Sequence, residues 1–342
     1  MKKNSKKNQI TQNAILFTLA IMISGLGALK SQNNPAFGGW SVKEISLTKW
    51  NTPDGIAYKE VPGANLGATS FAVLDDSRVA FLSNSSSEII ITDKITGKAI
   101  KKFPVLFSPR DFVYDKGLFY VLDEQDVVVY DETGKRTSSI AFLASYIAVV
   151  RLTRFDNSTY LLLPSGNSLK IESNGSSVAP TEYEGWITSF GLFVTSKITG
   201  DNSYSIKIKT KNGKIAEKTY STNIRIAGAF VIGSTENRLI LDVQTFISEN
   251  PIIVERKIVA IELDKNDLGN ITASIKVPDC YYVLSFTDFY VSANGTVLNM
   301  LTAPKGAFVF SLEENKSMAA KGYPASITAE KYHFNDHLVK VD

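Results

Sequence analysis

The stretch Arg110–Phe142, RDFVYDKGLFYVLDEQDVVVYDETGKRTSSIAF, decides the fold. Phe112, Val113 and Tyr114 form a first apolar run, broken by Asp115, Lys116 and Gly117. Leu118–Leu122 is a second, broken by Asp123, Glu124, Gln125 and Asp126. Val127–Tyr130 is a third, closed by Asp131–Lys135, and Ser139–Phe142 ends a fourth. Val, Tyr and Phe suit a pleated, half-buried surface, and the glycines at two of the breaks supply the positive φ that hairpin turns need. Each run has strand length and none is long enough for a typical helix. The stretch therefore predicts a four-stranded antiparallel meander, which must stack against neighbours to cover its faces.

Looser copies of this unit recur in both directions. Upstream, Phe71–Leu74, Arg78–Leu82, Glu88–Thr92 and Lys98–Phe103 form one unit, and its third turn, Asp93–Lys98, matches Asp131–Lys135. Downstream units span about Tyr146–Tyr183, Trp186–Tyr220, Ile226–Val277 and Leu284–Tyr323. Their corresponding turns are Asn174-Gly175, Lys211–Lys214, Leu268-Gly269-Asn270 and Glu313–Lys316. The wide step before the fifth turn is assigned to a loop lengthened by Ser248–Pro251. A period near forty with four strands per unit predicts an all-β fold, a β-propeller of six four-stranded blades. A seventh blade assembled from Trp40–Val61 and Ile327–Val341 is the alternative, with Ser41–Leu47 and His337–Val341 as candidate closing strands. A strand from one terminus that completes a blade begun at the other removes exposed edges. A β-sandwich built of the same hairpins is the competing fold.

The turns VVVYDETGK (Val127–Lys135) and IIITDKITGK (Ile89–Lys98) give residues 69–320 a resemblance to secreted six-bladed propellers of the NHL or YVTN-repeat kind. The resemblance implies a binding platform for proteins, peptides or glycans, with enzymes among some members. Propeller lactonases with a central metal look like a nearby enzyme class.

Residues 1–31 carry five lysines and no acid, and Ala14–Leu29 is almost unbroken apolar sequence. A positive segment, an apolar core and small residues read as a secretory signal peptide, with a retained N-terminal anchor as the alternative. The leader also resembles those of Bacteroidetes. Residues 32–39 read as a linker and 40–342 as the propeller domain. The whole chain has 37 basic and 34 acidic residues, a net +3; without the leader the balance is 32 to 34, or −2. The basic excess thus belongs to the leader, and nothing in the remainder favours nucleic acid. Membrane association is expected only through an uncleaved leader or a partner. The single cysteine, Cys280, excludes an intramolecular disulfide and reads as a small buried hydrophobe.

Signatures of catalysis are absent: there is no phosphate-binding GxxxxGK[ST], no GxSxG and no HExxH. The two histidines, His333 and His337, fall in a segment that reads as turn and strand, where an i, i+4 pair does not converge. Asp264–Gly269 reads as a β-turn because Leu268 occupies a ligand position of a calcium loop and the closing Glu is missing. Six N-x-[ST] triplets, at Asn84, Asn157, Asn174, Asn270, Asn294 and Asn315, mark turns. No metal or cofactor is expected.

The loops leading into the inner strands of a propeller cluster on one face. Here they carry Phe107, Arg110, Asp111, Tyr146, Trp186, Tyr281, Tyr282 and Asp288. Aromatics beside a few polar groups suit peptide edges or sugar faces, so Arg110, Asp111, Tyr146, Trp186, Tyr281, Tyr282 and Asp288 are the candidate binding residues. Packing between blades is the competing role for the rings. Arg151 and Arg154 are expected to line the channel or to pair with acids between blades. The expected function is a secreted or periplasmic, non-catalytic scaffold for a protein, peptide or glycan. The alternative is a metal-dependent hydrolase or lyase drawing on Asp111 and Asp288 in the channel.

Overall fold

The computed structural model describes residues 40–62, 64–106, 108–123, 126–142, 149–171, 181–250, 252–264, 267–292, 294–314 and 322–328. The leader and linker, Phe107, Tyr146, the Asn174-Gly175 turn, Asn315, His333, His337 and the candidate strand His337–Val341 lie outside these residues.

The chain opens with β1 (Trp40–Lys49) and a short hairpin, β2 (Lys59–Val61) and β3 (Ala64–Leu66). Blade 1 is β4–β7 (Ala68–Val73, Arg78–Ser83, Glu88–Asp93, Ala99–Pro104). Blade 2 is β8–β11 (Asp111–Asp115, Leu118–Leu122, Asp126–Asp131, Arg136–Ala141). Blade 3 is β12–β15 (Arg151–Phe155, Ser158–Leu162, Ser168–Ile171, Thr181–Tyr183). Blade 4 is β16–β19 (Trp186–Ile187, Phe193–Gly200, Ser203–Lys209, Ile215–Ser221), and blade 5 is β20–β23 (Ile226–Ser234, Arg238–Glu249, Ile252–Asp264, Asp267–Lys276). Blade 6 is β24–β26 (Phe289–Val291, Val297–Ala303, Gly306–Glu314) with β1 as its outer strand. A helical turn, Ala325–Thr328, follows. The fold is a six-bladed β-propeller of four-stranded antiparallel sheets.

Burial follows from face-to-face stacking of the blades. Middle strands are covered on both sides, so Val79–Leu82 and Val127–Val129 are apolar throughout and buried. Outer strands have one wet side, and β11 is exposed except near Ile140. The apolar clusters sit between blades: Phe103, Phe119 and Tyr130 join blade 1 to blade 2, and Leu192, Ile206, Leu241 and Ile261 join blade 4 to blade 5. The matched turns share a cause. The Asp131 carboxylate accepts the backbone N–H of Thr133 and Lys135 at 2.8 and 3.0 Å, and Asp93 accepts that of Thr96 at 2.7 Å. Each side chain stands in for the hydrogen bonds of a tight turn.

Ring closure uses the N-terminus. β1 pairs along its length with β26, from Trp40 opposite Glu314 to Lys49 opposite Gly306. The six-blade reading holds, and the seventh-blade alternative is corrected: Ser41–Leu47 lies in β1, as the fourth strand of blade 6. Gly97 marks how closely β1 lies against blade 1. Its φ is +65°, and a Cβ there would fall 1.8 Å from the Leu47 carbonyl oxygen.

Blade 5 departs from the sequence reading twice. The turn read at Leu268–Asn270 is corrected: these residues lie in β23, where Leu268 pairs with Leu263 and is buried between blades. Ser248 and Glu249 do not lengthen a loop but lie in β21, and Pro251 lies outside the described residues. The strands themselves are longer, and pairing of β21 with β22 continues from Arg238–Glu262 to Glu249–Ile252.

Candidate functional site

The six inner strands, β4, β8, β12, β16, β20 and β24, surround the channel. The loops leading into them define an upper face, and the hairpins that follow them a lower face. A chain of alternating charge crosses the channel and runs into the seam between blades 5 and 6.

It begins at Asp111, the first residue of β8, which is 1% exposed. One carboxylate oxygen accepts the Ser70 hydroxyl at 2.7 Å and the other accepts the Leu152 N–H at 2.8 Å, tying blades 1, 2 and 3 together. Arg151 opens β12 and reaches to the opposite wall. Its guanidinium donates to the Phe289 carbonyl of blade 6 at 3.0 Å and, at 3.5 Å, to the Ile232 carbonyl of blade 5. Burial holds the Arg151 pKa below the usual arginine range, against the pull of Asp111 and Asp288. Its Nε is buried and unpartnered among the described residues.

Asp288 sits just before β24 and accepts Arg256 Nη1 at 2.7 Å. Arg256 also donates from Nε and Nη2 to Asp242 at 3.0 and 2.7 Å, and from Nη1 to the Tyr281 hydroxyl at 3.0 Å. Gln244 adds a hydrogen bond to Asp242 at 3.0 Å. Burial opposes the Arg256 charge, yet Asp242 and Asp288 outweigh it and raise its pKa well above the ordinary value. Burial likewise pushes the Tyr281 hydroxyl up, with Arg256 pulling the other way. Ions removed from water in this way persist only with good geometry and satisfied partners. Arg256 meets that condition with four hydrogen bonds, while Asp242 keeps one buried oxygen without a partner among the described residues.

The upper face also carries three rings at the junction of blades 6 and 1. Tyr58 stacks on Tyr282 at 4.8 Å, and Trp50 lies 5.9 Å from Tyr58 and 6.4 Å from Tyr282. The Trp50 indole donates to the Ala303 carbonyl at 2.6 Å, and Asn65 donates to the Tyr282 carbonyl at 2.9 Å. These bonds fix the rings from β1, the 50–58 loop and the loop before blade 6. In that last loop, Phe286 is 50% exposed.

The candidate residues therefore separate into groups. Tyr281 and Asp288 meet at Arg256. Asp111 is a buried inter-blade clamp, with Arg110 beside it bonding through its N–H to the Leu122 carbonyl at 2.9 Å. Tyr282 belongs to the aromatic group. Trp186 packs between blades 3 and 4, and its indole donates to the Leu163 carbonyl at 2.8 Å. Arg151 lines the channel as expected, whereas Arg154 pairs with Asp115 of blade 2 at 2.9 Å. Cys280 is buried. Asp242, Arg256, Trp50 and Tyr58 were missed. The charges inside the apolar runs LILDVQTF (Asp242) and IIVERKIV (Glu255, Arg256 and Lys257) were the available signal for the first two, since a buried charge must find a partner. Among the described residues, no group of three or more His, Cys, Asp or Glu side chains is placed to hold a metal.

No family model matches the sequence, and no curated protein is significantly similar to it. Solved structures with a similar fold include a streptogramin B lyase, at 11% identity and TM-score 0.40, covering 80% of this chain and 98% of the other. The hydrazine synthase of Kuenenia stuttgartiensis aligns at 14% identity and TM-score 0.46, covering 73% and 79%. The WD40 domain of Neurospora crassa Pan2 aligns at 11% identity and TM-score 0.45, covering 85% and 99%.

Proposed function

We propose that this propeller is a non-catalytic binding scaffold, exported to the periplasm or beyond, that holds a protein, peptide or glycan on its upper face. The observation that carries the reading is the fixed aromatic group Trp50, Tyr58 and Tyr282, with exposed Phe286 in the adjoining loop. Rigid rings beside polar backbone make contact area at low entropic cost. The channel carboxylates support the same reading, because Asp111 and Asp288 are occupied by Ser70, Leu152 and Arg256. That weakens the hydrolase alternative, which needs those oxygens for a metal or a proton. Export is supported by the leader alone, and the NHL or YVTN kinship by the blade turns.

The test is binding of the full chain to glycan and peptide arrays, followed by titration of the hits. Tyr58→Ala and Phe286→Ala are expected to weaken the hits by about tenfold or more, the loss typical of a contact hot spot. Thr219→Lys, at an exposed position on the outer strand of blade 4, is expected to leave them unchanged. Hits that survive both aromatic substitutions would refute the upper-face reading.

A further inference from the structure

The middle hairpin of blade 5 outruns its own sheet on the upper face. β21 and β22 stay paired out to Glu249 opposite Ile252. β20 begins only at Ile226, opposite Thr245, and β23 ends at Lys276, opposite Lys257. The end of β23 has a local cause. Val277 still donates to the Arg256 carbonyl at 2.9 Å, but Pro278 has no N–H to offer, and the Cys280 N–H closes a tight turn on the Pro278 carbonyl at 2.9 Å. The chain leaves the sheet there and becomes the loop before blade 6. Ile252–Glu255 of β22 runs on past that point with no strand on its outer side among the described residues.

The pattern left open on that edge is a backbone pattern. In an antiparallel ladder, alternate residues turn their N–H and C=O toward the same neighbour. Arg256 faces β23, as its bond from Val277 shows, so Val254 and Ile252 face the same way. Among the described residues neither has a backbone partner on that side. Their side chains, with Phe246 opposite Val254, form an apolar surface that is half-buried. Arg225 lies 5.4 Å from the Phe246 ring and pairs with Glu249 at 2.5 Å, which ties the hairpin to the loop before β20. An open apolar edge is a template for a further strand. Backbone donors and acceptors at ladder spacing match an extended polypeptide, and not a sugar, whose hydroxyls do not repeat with the period of two of a strand. An edge as short as Ile252–Glu255 is too small for an interface of standard size between two copies. It suits a peptide whose flank rests on the bordering loop, Pro278–Tyr282, which also carries Tyr282 of the aromatic group.

We infer that the outer edge of β22 at Ile252–Glu255 receives an extended segment of a partner polypeptide, added antiparallel as a further strand in line with β23. The inference rests on the reading of the upper face as a binding surface and narrows the partner there to a peptide chain. The test is a peptide array probed with the full chain, followed by titration of the hits and of their singly N-methylated forms. Hits of several sequences are expected, because the recognised atoms belong to the backbone. N-methylation should weaken a hit by about tenfold or more at every second residue of a short run, and little at the residues between, since only alternate amides face β22. Val254→Pro removes an outward N–H from an edge and leaves the ladder with β21 intact, so it should weaken the hits to a similar extent, whereas Val254→Ile should not. The inference is overturned if the chain retains only glycans or nothing, if N-methylation shows no period of two, or if Val254→Pro binds like the unmodified protein. Hits lost in Tyr58→Ala but kept in Val254→Pro would overturn it and leave the aromatic surface in place. The reverse pattern would support the edge and remove the aromatic group from the reading. Self-association of the free chain that Val254→Pro abolishes would assign the edge to a second copy, and overturns the inference as well.

Discussion

Replacing Arg256 by methionine tests whether the buried charge chain holds blades 5 and 6 together. Methionine keeps the length and the packing against Tyr281 and Phe289, whose ring centres lie 5.7 and 5.6 Å from the guanidinium carbon. It removes the two ion pairs, each with a 2.7 Å contact. At an effective dielectric of about 20, unit charges about 4 Å apart attract by ~4 kcal/mol. Desolvation offsets much of that sum, but the substitution leaves Asp242 and Asp288 without their cation. Breaking a buried pair from one side costs about 3–5 kcal/mol. At ~2 °C per kcal/mol for a chain of this size, the melting temperature should fall by roughly 6–10 °C. The cycle with Asp242→Asn is the sharper measurement. Alone, that change removes acceptors from Arg256 and Gln244 and should destabilise. In the Arg256→Met background it removes an uncompensated buried charge and should be neutral or stabilising, a coupling of at least ~2 kcal/mol. Urea unfolding of the four proteins gives the result. A loss below ~1 kcal/mol for Arg256→Met, as for a surface pair, refutes the reasoning. So does an Asp242→Asn effect that is equal in both backgrounds.

Three further outcomes follow from the same geometry. Gly97→Ala should destabilise by more than ~2 kcal/mol, while Gly117→Ala, whose new Cβ meets nothing within 4 Å, should cost only the ~1–2 kcal/mol of a positive φ; equal thermal shifts would contradict close seating of β1. Trp40→Ala, at a residue 2% exposed in the closing strand, should cost about 3–5 kcal/mol in urea unfolding. At Asp75, burial is outweighed by the Ser77 N–H and Arg78, which lower its pKa from 3.8 to about 2. Its stabilising contribution is therefore complete above about pH 3.8 and lost as the pH falls through about 2. Asp75→Asn should flatten the stability curve across that window, by less than ~1 kcal/mol because the side chain is 40% exposed.

The blades were readable because their information is local. Alternation of apolar runs with Asp-, Asn- and Gly-containing turns fixes strands and hairpins, and the period near forty fixes their assembly. What failed was non-local. β1 is one strand among polar neighbours, and only its pairing with β26 shows that it completes blade 6 and not a seventh. Leu268-Gly269-Asn270 looked like a turn because Gly and Asn punctuate loops, whereas burial of Leu268 against blade 4 draws it into a strand. At the site, residue type identified Tyr281, Tyr282 and Asp288 as worth inspecting, but not their division between an ion network and an aromatic group. Arg256 and Trp50 come from elements distant in sequence, and their meeting points depend on ring closure.

Closure by β1 also has a consequence for the order of events during folding. Each of blades 1 to 5 is contiguous, so its strands can pair as soon as they exist. Trp40, near the start, must wait for Glu314 before its ladder forms. Contacts so far apart in sequence form slowly, because the chain entropy is surrendered before the contact rewards it. Until then β26 shows an open edge bearing Phe308 and Phe310, the kind of template that recruits other chains. The last ladder to form is also the one that ties the N-terminus to the ring. Tension applied at residue 40 would therefore load the β1–β26 hydrogen bonds together in shear before it reached any other blade.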